Sequence, residues 1–200
     1  MPLYRLSIVI ALSLLALSTV ELASRMRGQS PRRDHGNAPE SFTCQAQART
    51  AAAGAATHFR IQIDRYVADV DRTAMTQALV HGGYPGFVLA VRKAPELGRI
   101  EFGGQTFSVR WANARPEGNG RAITIVTDKP MYFVGGGQVD SKPREGYELA
   151  VVQFRIDEVG MGMGTMAAAA RVKSDGQGGV LLEDYAEEPI KLTSVRREIK

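Results

Sequence analysis

The 200-residue chain is poor in the residues that build recognisable active centres. It has one cysteine, Cys44, and three histidines, so an intrachain disulfide cannot form and a zinc cluster of the usual Cys/His kind cannot be assembled. It contains no HExxH, no GxxxxGK[ST], no GxSxG and no dinucleotide fingerprint. Those absences remove zinc proteases, P-loop nucleotidases, Rossmann dehydrogenases and elbow-type serine hydrolases from the readings a sequence alone can support. No metal or cofactor is expected. Long apolar runs are also missing. The one extended run starts at residue 6 and stops before Glu21, short of the roughly 20 residues a spanning helix needs.

The composition that remains, 44% hydrophobic and 23% charged, is that of an ordinary globular chain. The formal net charge of +4 resolves by region. Arg25, Arg27, Arg32 and Arg33 face only Asp34 within residues 24–39, whereas residues 40–200 hold twenty basic and nineteen acidic side chains. The body of the chain therefore lacks a basic footprint, and nucleic acid is not an expected partner.

Residues 1–23 read as a secretory signal peptide: Arg5 precedes an apolar stretch broken only by Ser7 and Ser13, and Ala16 and Ser18 meet the small-x-small rule for cleavage. An uncleaved anchor is the alternative, and it would be the chain's only membrane contact. Residues 24–39 (SRMRGQSPRRDHGNAP) have almost nothing to bury and read as a flexible Arg/Pro/Gly-rich spacer. A single β-rich domain is expected over 40–200, in an exported, periplasmic or extracellular protein.

Within that domain, Phe59, Ile61 and Ile63 alternate with Arg60, Gln62 and Asp64, the period of two of a half-buried strand. Strands are predicted over 42–50, 57–67, 99–102, 105–111, 121–127, 147–157, 162–173, 180–185 and 190–195. Gly103-Gly104 reads as a hairpin turn that leaves Phe107, Val109 and Trp111 on one face. Apolar parity slips in 147–156, from Tyr147, Leu149 and Val151 to Val152, Phe154 and Ile156. This indicates a bulge or a strand buried on both faces. After the second strand the period changes. A helix capped by Asp69 or Asp71, a stop at Gly82-Gly83 and a second helix with Pro85 in its first turn predict a two-helix insertion. The fold class is mainly β: an antiparallel sandwich or barrel of about nine strands.

Candidate site residues are few. Gly135, Gly136 and Gly137 open a polar stretch whose consecutive amides form an anion nest in one reading, with Lys142 or Arg144 adding charge, and a plain mobile loop in the other. Trp111 and Tyr132 are candidates to line a pocket for a sugar or an apolar ligand, against a default role in the core. Gly160, Gly162 and Gly164 alternate with Met161 and Met163, which reads as a bare glycine face open to a ligand or an aromatic ring or, preferred, as close strand packing with the methionines as core filler. His35, His58 and His81 have no visible catalytic partner, and Cys44 reads as an inert buried thiol.

The stretches SFTCQAQARTAAAGAATHFRIQIDRY (41–66), GRAITIVTDKPMYF (120–133) and EDYAEEPIKLTSVR (183–196) resemble, in that order, a family of uncharacterised exported bacterial proteins. The resemblance covers about residues 41–196. It implies export and a single domain, and it brings no reaction, cofactor or catalytic residue. The expected function is a non-catalytic binding module, for a small apolar or sugar-like ligand or for an envelope component. The alternatives are a cofactor-free hydrolase using dispersed acidic residues and a histidine, or a structural envelope protein.

Overall fold

Alternation of apolar and polar side chains builds nine strands, and antiparallel pairing bends eight of them into a closed barrel. The computed structural model describes residues 39–47, 56–102, 104–131 and 144–198. The elements are β1 (Glu40–Gln47), β2 (Ala56–Ile63), α1 (Asp69–Lys93), β3 (Gly98–Phe102), β4 (Gln105–Glu117), β5 (Gly120–Thr127), β6 (Leu149–Ile156), β7 (Met161–Ser174), β8 (Val180–Tyr185) and β9 (Ile190–Glu198). The sheet order is β6-β5-β4-β3-β2-β1-β9-β7, and β7 pairs with β6 to close the circle. Between sandwich and barrel, the structure is a barrel.

The inner wall is a set of registered apolar rows. Phe42, Ile61, Ile100 and Phe107 lie side by side across β1 to β4, and Ala112, Ile125, Val152 and Met166 across β4 to β7. Phe42 and Phe154 meet across the interior edge to face, with ring centroids 5.0 Å apart. All of these side chains are buried and together form the barrel's apolar core. Its outer wall carries Thr43, Arg60, Thr124, Gln153 and Lys191. An apolar interior with a polar exterior reverses the pattern of a lipid-embedded barrel. Among the described residues no helix is long and apolar enough to cross a membrane.

One stretch of the outer wall is apolar as well. Trp111, Val126, Val151 and Ala167 register across β4 to β7 beside the inner row, and α1 packs on this side, with the Phe87 and Trp111 ring centroids 5.9 Å apart. Of the two causes considered for the parity slip in β6, the structure shows burial on both faces; the register shift opposite Leu149 and Val151 places its extra residue on β7, and β6 runs in unbroken register with β5. A second shift, between Val109 and Trp111, corrects the face assigned to Trp111. The extra residue, Arg110, turns Trp111 outward to the helix while Phe107 and Val109 stay inside.

The two-helix insertion also needs correction. The segment is one helical element interrupted at a single residue, Gly83 (φ 61, ψ −165), a conformation open to glycine and costly to other residues. The chain folds back there, so that a Cβ on Gly86 would lie 2.6 Å from the Ala78 carbonyl oxygen. Neither aspartate is the cap: Ala68 holds that position without a side-chain hydrogen bond. Asp69 and Asp71 lie in the first turn instead, where carboxylates favour the helix dipole.

Strand β7 shows why the glycine alternation exists. A Cβ on Gly162 would strike the Arg155 carbonyl oxygen, and one on Gly164 would lie 2.6 Å from Phe154 Cβ. The glycines thus permit the close β6–β7 approach that closes the barrel. The methionines are not core filler: Met161 and Met163 are 38% and 69% exposed, because the face opposite the glycines is the outer wall.

Candidate functional site

Several places bring polar or ionisable side chains together. The first closes one end of the barrel. Glu40 at the start of β1 accepts a hydrogen bond from Tyr66 Oη at 2.5 Å and pairs closely with Arg121 of β5, while Arg197 of β9 stands 3.7 Å away. The Glu40 and Arg121 side chains are only 12% and 11% exposed. Burial, reinforced by the Glu40 carboxylate, pushes the Tyr66 hydroxyl well above its ordinary pKa, so it stays protonated and donates.

The second lies by the start of β6. Tyr147 Oη donates to Asp184 at 2.5 Å, Arg144 stacks over the Tyr147 ring at 5.0 Å, and Arg171 pairs with Glu183 at 3.3 Å. The Tyr147 hydroxyl and the Tyr185 backbone N–H hold the Asp184 carboxyl below its usual range. Tyr84 reaches in from α1, donating to the Ala170 carbonyl at 2.9 Å and accepting from the Glu148 N–H at 2.8 Å. These bonds tie the helix to β6 and β7.

The third is a groove of about 720 Å³ on the outer wall of β5, β6, β7 and β9, bordered by Leu181 of β8, which is within the size range of small-molecule sites. Thr124, Gln153, Thr165 and Lys191 lie along it as one registered row, with Met163 and Ala122 beside them. Arg155 pairs with Glu117 at 2.8 Å, and Arg115 is held by the buried carboxylate of Asp175. Backbone N–H groups of Gln177 and Gly179 together with Arg115 lower the Asp175 pKa, although its partial burial alone would raise it.

Of the candidate residues, Trp111 borders neither the outer-wall groove nor the depression at His58: it is fully buried under α1, and its Nε1 has no hydrogen-bond partner among the described residues. Arg144 is exposed and belongs to the tyrosine–aspartate cluster. Tyr132, Gly135, Gly136, Gly137 and Lys142 lie outside the described residues, as does His35. Cys44 is inside the barrel, where burial pushes its thiol up to about 12, so the nucleophilic thiolate is suppressed at neutral pH. His58 shares an open depression of about 500 Å³ with Thr43, Glu101 and Thr106. The Glu101 carboxylate is engaged by Arg99 at 2.8 Å, and exposed His58 has no hydrogen bond to orient it among the described residues. Among the described residues no cluster of three His, Cys, Asp or Glu side chains could hold a metal ion.

Sequence reasoning missed Glu40, Tyr66 and Arg121, which are brought together only by barrel closure, and it missed the groove, whose lining comes from six strands. No protein-family model, curated protein or solved structure matches the chain.

Proposed function

We propose that the domain is a non-catalytic binding module of an exported protein, and that it holds an extended segment of another envelope protein along the free edge of β8. The supporting observation is that β8 alone stands outside the closed barrel. It is hydrogen-bonded to Ala170–Ser174 of β7 on one side and to no other strand among the described residues. Closure gives every other strand a partner on both sides for at least part of its length, and an unpaired edge is where strand addition occurs.

Charge selects the partner. Glu183, Asp184, Glu187 and Glu188 follow one another with no basic residue from 183 to 188, so two β8 edges meeting antiparallel would oppose like charges. The expected partner is a basic segment with apolar side chains to set beside Tyr185, which is 43% exposed. A photocrosslinking residue placed at Tyr185 in the native host tests this, with Leu89 on α1 as the control. A discrete adduct from position 185 that is absent from 89, and that weakens when Glu183 and Glu187 are changed to Lys, is expected. Equal labelling from both positions, or no adduct from 185, would refute strand addition.

A further inference from the structure

We infer that the outer-wall groove is a separate site for a small amphiphilic anion: one acidic head group on a short apolar chain. The inference rests on the groove's lining and is independent of the β8-edge reading.

Three cations line the groove, and two are occupied. Arg155 is matched by Glu117 at 2.8 Å and Arg115 by Asp175. Lys191 forms no ion pair among the described residues. Its registered neighbour on β7 is Thr165, with Thr193 two residues further along β9. Thr193 Oγ1 donates to the Gln45 carbonyl at 3.3 Å, so a head group would meet the three N–H donors of the Lys191 ammonium beside the Thr165 hydroxyl, a combination that suits a carboxylate or phosphate. Glu117, the one lining carboxylate, is neutralised by Arg155 and does not oppose an anion.

The apolar half of the ligand follows from the other side chains. Met163 is 69% exposed and Leu181 37% exposed, and both line the groove with Ala122. A polarizable, unbranched methionine side chain on a fixed strand adapts to an aliphatic chain. The only aromatic residue in the lining is Phe154, whose side chain packs inside the barrel against Phe42. The groove therefore offers no ring on which a sugar would stack, and it favours an aliphatic chain.

The test is a titration of the isotope-labelled protein with octanoate and octyl phosphate below their micelle concentrations. Octanol serves as the chain without charge and acetate as the head without the chain. Saturable amide shifts at Met163, Thr165, Lys191 and Thr193 are expected for at least one of the two anions, with octanol and acetate at least tenfold weaker. Lys191→Gln should weaken anion binding about tenfold, while Lys93→Gln on α1 stays within twofold. Both lysines are exposed, so both variants keep the fold, and thermal melts verify this. Absence of saturation by either anion, equal binding of octanol, or binding unchanged in Lys191→Gln would each overturn the site.

Discussion

Replacing Glu40 by glutamine tests the reading of the barrel end most sharply. The carboxylate is the counter-charge of Arg121, and both side chains are about nine-tenths buried. The substituted amide would retain an acceptor for Tyr66 Oη but leave the Arg121 guanidinium buried and without its charge partner. Breaking a buried ion pair from one side costs about 3–5 kcal/mol, a large part of the about 5–15 kcal/mol that holds a typical domain. At about 2–4 °C per kcal/mol for a domain of this size, the melting temperature should fall by roughly 6 °C or more. Urea denaturation followed by tryptophan fluorescence suits the measurement, since Trp111 is the only tryptophan and is fully buried. Arg121→Met alone should cost less than Glu40→Gln, because Glu40 keeps the Tyr66 hydroxyl and Arg197, 3.7 Å away. The double variant Glu40→Met/Arg121→Met should cost less than the sum of the singles by about 2 kcal/mol or more, because neither charge is then left behind. A Glu40→Gln loss below about 1 kcal/mol, or strict additivity in the cycle, would show that the pair is solvent-screened and the argument wrong.

Alkaline pH should expose the buried thiol. Cys44 titrates near 9.0 when unperturbed and at about 12 in the folded barrel, so between those values the unfolded chain sheds a proton that the folded one keeps. Stability then falls as pH rises, by about 1.4 kcal/mol per pH unit from this group. The gap between wild type and Cys44→Ala should narrow at that rate from about pH 9 upward, and parallel curves would contradict it. Tyr66 and Tyr84, both shifted upward by burial, add the same sign of loss above about pH 10 in both proteins. Gly164→Val should prevent folding or cost more than about 3 kcal/mol, since its side chain would meet Phe154 and the Gln153 carbonyl. Met163→Ser, on the other face of the same strand, should change stability by less than about 0.5 kcal/mol, and equal effects in urea titrations would invert the assignment of faces. Trp111→Phe should be near neutral, within about 1 kcal/mol by circular dichroism. It gives up some packing against Phe87 but also removes a buried N–H that has no acceptor among the described residues.

Local chemistry made the strands legible. Alternation in 59–64, paired glycines at 103–104 and 82–83, and the parity slip of 147–156 are all short-range signals, and each marks a feature of the structure. What escaped depends on register between distant segments. The single residue that turns Trp111 outward is visible only against β5, because two residues of β4 there oppose one step of its partner. Glu40 and Arg121 are 81 positions apart, and nothing near either predicts the other. The methionines escape for a related reason: alternation shows that two sets of side chains face opposite ways but not which way is inside. The glycines decide that once β6 is known to press against them.

β7 explains why a closed barrel keeps a free edge at all. Its first half pairs with β9 from Met161 to Met166, and its last residues, Ala170 to Ser174, pair with β8. Two strands thus lie end to end along one side of β7, joined where the Ala186 N–H meets the Ala169 carbonyl at 2.9 Å. Alanines fill the changeover. Ala167, Ala168, Ala169 and Ala170 are all buried, and their small side chains let α1 approach closely enough for Tyr84 to reach the Ala170 carbonyl. Pairing with β6, which closes the barrel, reaches Ala170, and a strand ending there would have left β8 without its partners Arg171 to Ser174. By running on, β7 carries β8 beyond the closure and sets Leu181 beside the outer wall. The β8 edge, unpaired among the described residues, and the groove therefore both depend on the length of β7, and the ligands proposed for them are distinguished by charge: acidic side chains along the edge, and in the groove a lysine that has no ion pair among the described residues.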